Sequence, residues 1–197
     1  MTVQMTANAT GLPGLQGGLD RLQQLGYSPR PIFQAIANYG ENSTRLRFNR
    51  QVGPDGQPWQ PSHRARATGS KTLVLSARLS RSITSTADRD GAEWGTNVKY
   101  AAIHQFGGEI KRAAYSSWLR LRTGTGGALL RQKNHANLSV FARADHKRAV
   151  ERRYTVAAHS IKMPARPFLG VNEADGREFE RLTVDVIDQA AQRRGGA

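Results

Sequence analysis

Apolar residues recur at helical spacing in the first fifty positions. Leu12, Leu15, Leu19, Leu22 and Leu25 return every three or four residues, which puts them on one helical face. Gly17 and Gly18 interrupt that run, each costing about 1 kcal/mol relative to Ala, and Gly26 supplies a stop. A second pattern starts at Ser28, a capping residue, with Pro29 and Pro31 suited to a first helical turn. Its expected face holds Ile32, Phe33, Ile36, Ala37 and Leu46, and the helix should run to about Arg50. The opening residues are polar and small, which predicts a mobile or partner-ordered end over residues 1–11.

Beyond Arg50 the period changes. Gly53-Pro54-Asp55-Gly56-Gln57-Pro58-Trp59 is dense in turn formers, and Trp59 is the large apolar group expected to pin that loop to the body. Residues 72–80 form a short apolar stretch of helical or irregular character. Residues 82–86 and 92–98 read as strands, with Asp90-Gly91 between them as a hairpin signal. Residues 100–106 read as a short helix or turn closed by Gly107-Gly108. Apolar and basic side chains alternate in Trp118-Leu119-Arg120-Leu121-Arg122, as in a half-exposed strand. A second strand is expected over residues 154–161, and the two could pair as an extended arm. Residues 173–193 should form a final helix with Phe179, Leu182, Val186 and Ile187 on one face; its acidic start and basic end suit the helix dipole. The predicted fold is α+β: a single domain over residues 1–197, with an antiparallel sheet flanked by helices, a long basic β-arm inserted at residues 111–162, and a C-terminal helix.

Charge sharpens this picture. The chain carries 29 Lys and Arg against 15 Asp and Glu, a net charge of +14, and 38% of its residues are apolar. Residues 111–166 hold 13 basic and 2 acidic side chains, whereas residues 167–197 hold 4 basic and 6 acidic. Most of the excess therefore belongs to the arm, and a polyanion or an acidic protein surface is the partner it favours. The absence of cysteine excludes disulfides, thiolate metal sites and cysteine nucleophiles. No run of about 18 apolar residues is present to span a membrane, and the start lacks the basic-then-apolar pattern of a secretory signal. A soluble protein with no membrane partner is expected.

Catalytic chemistry finds little support. The histidines, His63, His104, His135, His146 and His159, lack metal-ligand spacing. Gly69-Ser70-Lys71-Thr72 falls short of a phosphate-binding loop, and no G-x-S-x-G elbow exposes a serine. Asp55, Asp88, Asp90, Glu93 and Glu109 lie beside turn glycines or strand ends, where backbone capping accounts for them. No cofactor, metal or enzymatic activity is expected. Nucleic-acid binding is the main competing reading: Tyr115, Trp118, Phe141 and Tyr154 are interleaved with the basic residues and could stack on bases. Solvation, or docking on an acidic partner, explains the same charge.

Three separated motifs supply a further clue. The first is Arg47-Phe48 with the turn from Gly53 to Trp59. The second runs from Trp94 through Gly95-Thr96-Asn97 and Tyr100 to His104-Gln105-Phe106-Gly107-Gly108. The third is Met163-Pro164-Ala165-Arg166-Pro167-Phe168-Leu169-Gly170, followed by the acidic-start helix. Together they resemble the phage virion morphogenesis, or tail completion, family of Mu-like tailed phages, over about residues 12–193. Leu79 to Ile83 resembles the family's segment between the first two motifs; residues 112–161 are where the resemblance is weakest.

The resemblance implies a structural virion protein of the neck, a tail terminator or completion protein that caps the tail tube and joins the tail to the head. It implies self-association into a ring, commonly a hexamer, with the tail tube protein and the head-connector or stopper protein as partners. DNA passing through the ring lumen is the alternative partner. The expected location is the host cytoplasm during assembly and then the head-proximal end of the tail. Arg120, Arg122, Arg131, Arg148, Arg152, Arg153 and Arg166 are the candidate subunit- or ring-interface residues. Arg166, between two prolines, is also a candidate for a fixed ion pair or a backbone-carbonyl clamp. His104 and Tyr100 are expected to cap the core with polar groups.

Overall fold

The computed structural model describes residues 3–7, 13–24 and 26–195. Strands and helices follow in the order β1 (Val3–Ala7), α1 (Pro13–Gln24), α2 (Arg30–Arg50), α3 (His63–Thr68), α4 (Arg78–Arg81), β2 (Thr84–Ala87), β3 (Ala92–Thr96), α5 (Ala101–Phe106), β4 (Gly108–Arg112), β5 (Tyr115–Arg122), β6 (Arg131–Gln132), β7 (His135–Ser139), β8 (Ala149–Val156), β9 (His159–Met163) and α6 (Glu173–Gly195). The fold is α+β with antiparallel pairing. The chain divides into two compact units, residues 1–108 with 163–197, and Glu109–Lys162.

Helix α2 organises the first unit. Ser28 Oγ accepts from Arg30 N at 3.3 Å, and the helix ends at Gln51, which turns left-handed (φ 63°) while its N–H bonds to Arg47 O. Its buried face is Ile32, Phe33, Ile36, Ala37, Gly40, Thr44, Arg47 and Phe48. Leu46, expected on that face, is 48% exposed, because the stripe continues through Thr44, Arg47 and Phe48 on either side of it. Against α2 lies a three-stranded sheet of order β1-β3-β2. Trp94 of central β3 sits over Gly40, where a Cβ would collide with the indole.

The sequence pattern needs correction at this sheet. The sequence predicts a mobile or partner-ordered end over residues 1–11, yet Val3–Ala7 forms edge strand β1 on the chain's own sheet, in register from Val3 opposite Thr96 to Ala7 opposite Ala92, with Val3 in the core. Five residues of mixed polarity carry too little pattern to announce a strand whose partner lies some ninety positions away. Residues 1, 2 and 8–12, and Leu25, lie outside the described residues.

Helices α1 and α6 close the unit. Gly18 faces Thr183 and Ile187 of α6, so the glycine that weakens α1 in isolation is what admits the neighbouring helix. Leu15 and Leu22 are buried, and Phe179 packs edge-on to Tyr39 at 5.8 Å and to Trp94 at 6.3 Å. The short helix α3 was not expected; Ser62 caps it by accepting from Ala65 N at 3.1 Å. Six residues are too few to reveal a helical period.

In the second unit, β5 and β8 pair through eight residues, from Tyr115 opposite Val156 to Arg122 opposite Ala149. Residues 140–142 add to the other edge of β5, through Arg122 N to Val140 O and Ala142 N to Arg120 O, both at 2.8 Å. Strands β4 and β9 pair with each other, as do β6 and β7. The single strand expected at 154–161 is in fact two: β8 ends at Val156 and β9 begins at His159. No helix occurs between residues 109 and 162.

Candidate functional site

The three motifs meet in the first unit. Residues 164–170 form an irregular segment with no strand partner. Pro164 and Pro167 bring no N–H to a ladder. Yet Phe168 and Leu169 are buried, so their backbone groups need partners other than water. Side chains from the other motifs supply them. Trp59 Nε1 donates to Pro167 O at 2.8 Å. Arg47 Nη1 donates to Phe168 O at 3.1 Å and to Gly170 O at 2.7 Å. Gln105 Oε1 accepts from Phe168 N and Leu169 N at 2.9 and 3.0 Å, while its Nε2 donates to Leu169 O at 2.8 Å. The rings of Phe48, Trp59 and Phe168 pack together beneath this framework, with centroids 5.3–5.4 Å apart.

Arg47 is the polar centre of the cluster. Its Nη2 donates to Asp175 Oδ2 at 2.7 Å, and both side chains are almost fully buried. Asp175 also accepts from Tyr39 Oη at 3.0 Å and Ser43 Oγ at 3.1 Å. Asn172 and Asp175 form a reciprocal capping box: Asn172 Oδ1 accepts from Asp175 N at 2.9 Å, and Asp175 Oδ2 accepts from Asn172 N at 3.0 Å. One ion pair thus ties α2 to the start of α6 and to the irregular segment. Burial lowers the Arg47 pKa against the opposing pull of Asp175. It raises that of the Tyr39 hydroxyl, which also donates to Asp175.

Arg166 makes the second clamp. It is 4% exposed, its Nε donates to Gln60 O at 2.7 Å, and its N–H bonds to His104 O at 2.7 Å. Of the ion-pair and carbonyl-clamp readings, the geometry is the carbonyl clamp. The guanidinium therefore serves the chain's own backbone. His104 Nδ1 is buried with no hydrogen-bond partner among the described residues, and burial, followed by the Arg166 charge, lowers its pKa.

The remaining six candidates all lie in the second unit. Arg131, Arg148, Arg152 and Arg153 are exposed, while Arg120 and Arg122 are half-buried. Cross-strand partners in an antiparallel pair share a face, so the register separates two surfaces. Trp118 and Arg153 stand opposite each other on one face with Arg120, Arg122 and Glu151. Arg120 Nε lies 3.5 Å from Glu151 Oε1. The other face carries Tyr115, Leu119 and Leu121 from β5 and Val150, Arg152, Tyr154 and Val156 from β8. Phe141 adjoins Leu121 by a bridge. Charge counting found the arginines but not this separation, which depends on strand register.

Among the described residues, no group of three or more His, Asp or Glu is placed to hold a metal ion. No helix among them is long and apolar enough to cross a membrane. Arg47, Trp59, Gln105 and Arg166 spend their polar groups on backbone carbonyls and on Asp175, so this part of the cluster is a scaffold.

The model of the phage virion morphogenesis family matches residues 12–188, which include all three motifs. The chain belongs to this family. A curated relative, the Mu-like prophage FluMu G protein 2 of Haemophilus influenzae (strain ATCC 51907 / DSM 11121 / KW20 / Rd), is 36% identical over 99 residues, covering 50% of this chain and 67% of that protein. No solved structure matches the chain significantly. As a virion morphogenesis protein, the chain has a structural role in building the phage particle. Its family motifs form the scaffold around residues 164–170.

Proposed function

We propose that this virion morphogenesis protein is a non-enzymatic neck component, a tail terminator or completion protein whose copies close into a ring, with six the expected number. The ring caps the tail tube and presents a surface to the head connector, assembling in the host cytoplasm before entering the virion. The observation that carries this reading is the helix-free second unit. Its β5–β8 ribbon leaves Tyr115, Phe141 and Val150 in solvent on one face and an array of arginines on the other. Such a ribbon is stable chiefly when something covers it, and charged rims of this kind register assembly more than they add affinity. Phage lacking the protein should yield filled heads and tails that do not join, and adding the purified protein should restore joining. Joined, infectious particles formed without it would overturn the reading. Duplex DNA is the second reading, favoured by Trp118 opposite Arg153; it requires binding by the free protein that falls steeply with salt.

A further inference from the structure

The uncovered apolar face of the ribbon selects its own occupant. Tyr115, Phe141 and Val150 on it are 52%, 61% and 38% exposed, and Leu121 is the one buried apolar side chain in residues 109–162. Arg152 stands within this face opposite Leu119, and no ion pair reaches it among the described residues. The surface is therefore an apolar stripe with one unpaired guanidinium in its middle.

The two simplest occupants do not fit. Residues 109–162 carry 12 basic and 3 acidic side chains, so a second arm would bring like charge against like. A phosphate backbone suits the opposite face, with Trp118, Arg120, Arg122 and Arg153, and would leave the apolar stripe in water. The occupant has to offer an apolar centre with carboxylates beside it. The first unit carries such a surface in the groove between the Pro54–Asp55 turn and the start of α6. Val171 is 42% exposed there, and Asp55, Glu173 and Glu180 line the groove with Arg177 as the one cation. The Glu173 side chain is 97% exposed, with Arg177 at 4.0 Å. Residues 167–197 also have an acidic balance, with 6 acidic and 4 basic side chains.

We propose that the apolar face of the β5–β8 ribbon in one copy docks on the α6 groove of a second copy, with Val171 against the stripe and Arg152 against Glu173. The inference rests on the ring reading and names the surface through which successive copies hold one another. It also explains why the basic and acidic segments occur in one chain: a head-to-tail contact needs two complementary patches per subunit.

Isotopically labelled and unlabelled full-length protein, mixed and treated with a zero-length carbodiimide, tests the contact directly. Mixed-label crosslinks should join arm lysines, Lys111, Lys133, Lys147 or Lys162, to Asp55, Glu173 or Glu180. Charge exchange provides a second readout, by sedimentation across a concentration series. Arg152→Glu and Glu173→Arg should each raise the assembly midpoint about tenfold, and the double variant should recover most of that loss. Assembly with crosslinks elsewhere, or single variants that assemble like the parent, overturns the docking surface and leaves the ring reading standing. A chain that stays monomeric at every concentration overturns both. Crosslinks confined within single chains, or arms protected only by duplex DNA, also overturn the proposal.

Discussion

Arg47 and Asp175 show how one pair of side chains serves several elements. A buried ion pair can often be replaced by apolar groups at little cost, but here each partner also serves the backbone. Arg47 satisfies two carbonyls, and Asp175 caps α6. Arg47→Ala should therefore cost about 3–5 kcal/mol, and Arg47→Met with Asp175→Leu should remain well below the parent in urea denaturation. A double variant of parental stability would show that the carbonyl and cap bonds matter little. His104 gives a pH prediction. Its folded pKa lies below the ordinary 6.5, so on acidification the unfolded chain takes up the proton first. Its contribution is complete above about pH 6.5 and is lost as pH falls through the lower folded value. Thermal melts at descending pH should show a shallower decline for His104→Gln than for the parent. Part of this chemistry was legible: Arg47 stood in a motif, and Arg166 between prolines suggested a clamp. Asp175 read only as a helix-dipole residue, although Asn172 three positions earlier was a capping-box signal.

At the scale of elements, periodicity worked where an element buries a continuous stripe. Helix α2 followed its expected face from Ile32 to Ala37, but Leu46 is exposed and the buried stripe continues instead through Thr44, Arg47 and Phe48. It failed for β1 and α3, which are short and depend on partners or a single cap. Helix α1 separates propensity from packing within two adjacent residues. Gly17 has open space around it, so Gly17→Ala should stabilise by about 0.5–1 kcal/mol. A Cβ at Gly18 would collide with Thr183 and lie 3.1 Å from Ile187 Cδ1. Gly18→Ala should destabilise by about 1–3 kcal/mol despite the same gain in propensity. Guanidinium unfolding of both variants checks the pair, and equal shifts would mean that α1 does not pack on α6 as described.

At the scale of the molecule, the core cluster draws all its residues from the first unit. Replacing residues 109–162 by a short Gly-Ser linker should therefore preserve its cooperative melt within a few degrees while abolishing assembly. Loss of the melt would show that the arm is needed for folding. The sequence displayed the arm as a block of charge, but the motif cluster was visible only as three fragments, because side-chain to backbone bonds across more than a hundred positions leave no periodic trace. The pairing of β4 with β9 has a kinetic consequence. The body is a discontinuous folding unit: α6 must find α2 across the inserted segment. If the ribbon zips first, it draws Gly108 and Met163 together and replaces a loop of about 50 residues by one of a few, reducing the closure penalty by about 2 kcal/mol. The arm would then act as a folding clasp before it acts in assembly, so substitutions that weaken β4–β9 pairing should slow refolding while leaving unfolding almost unchanged.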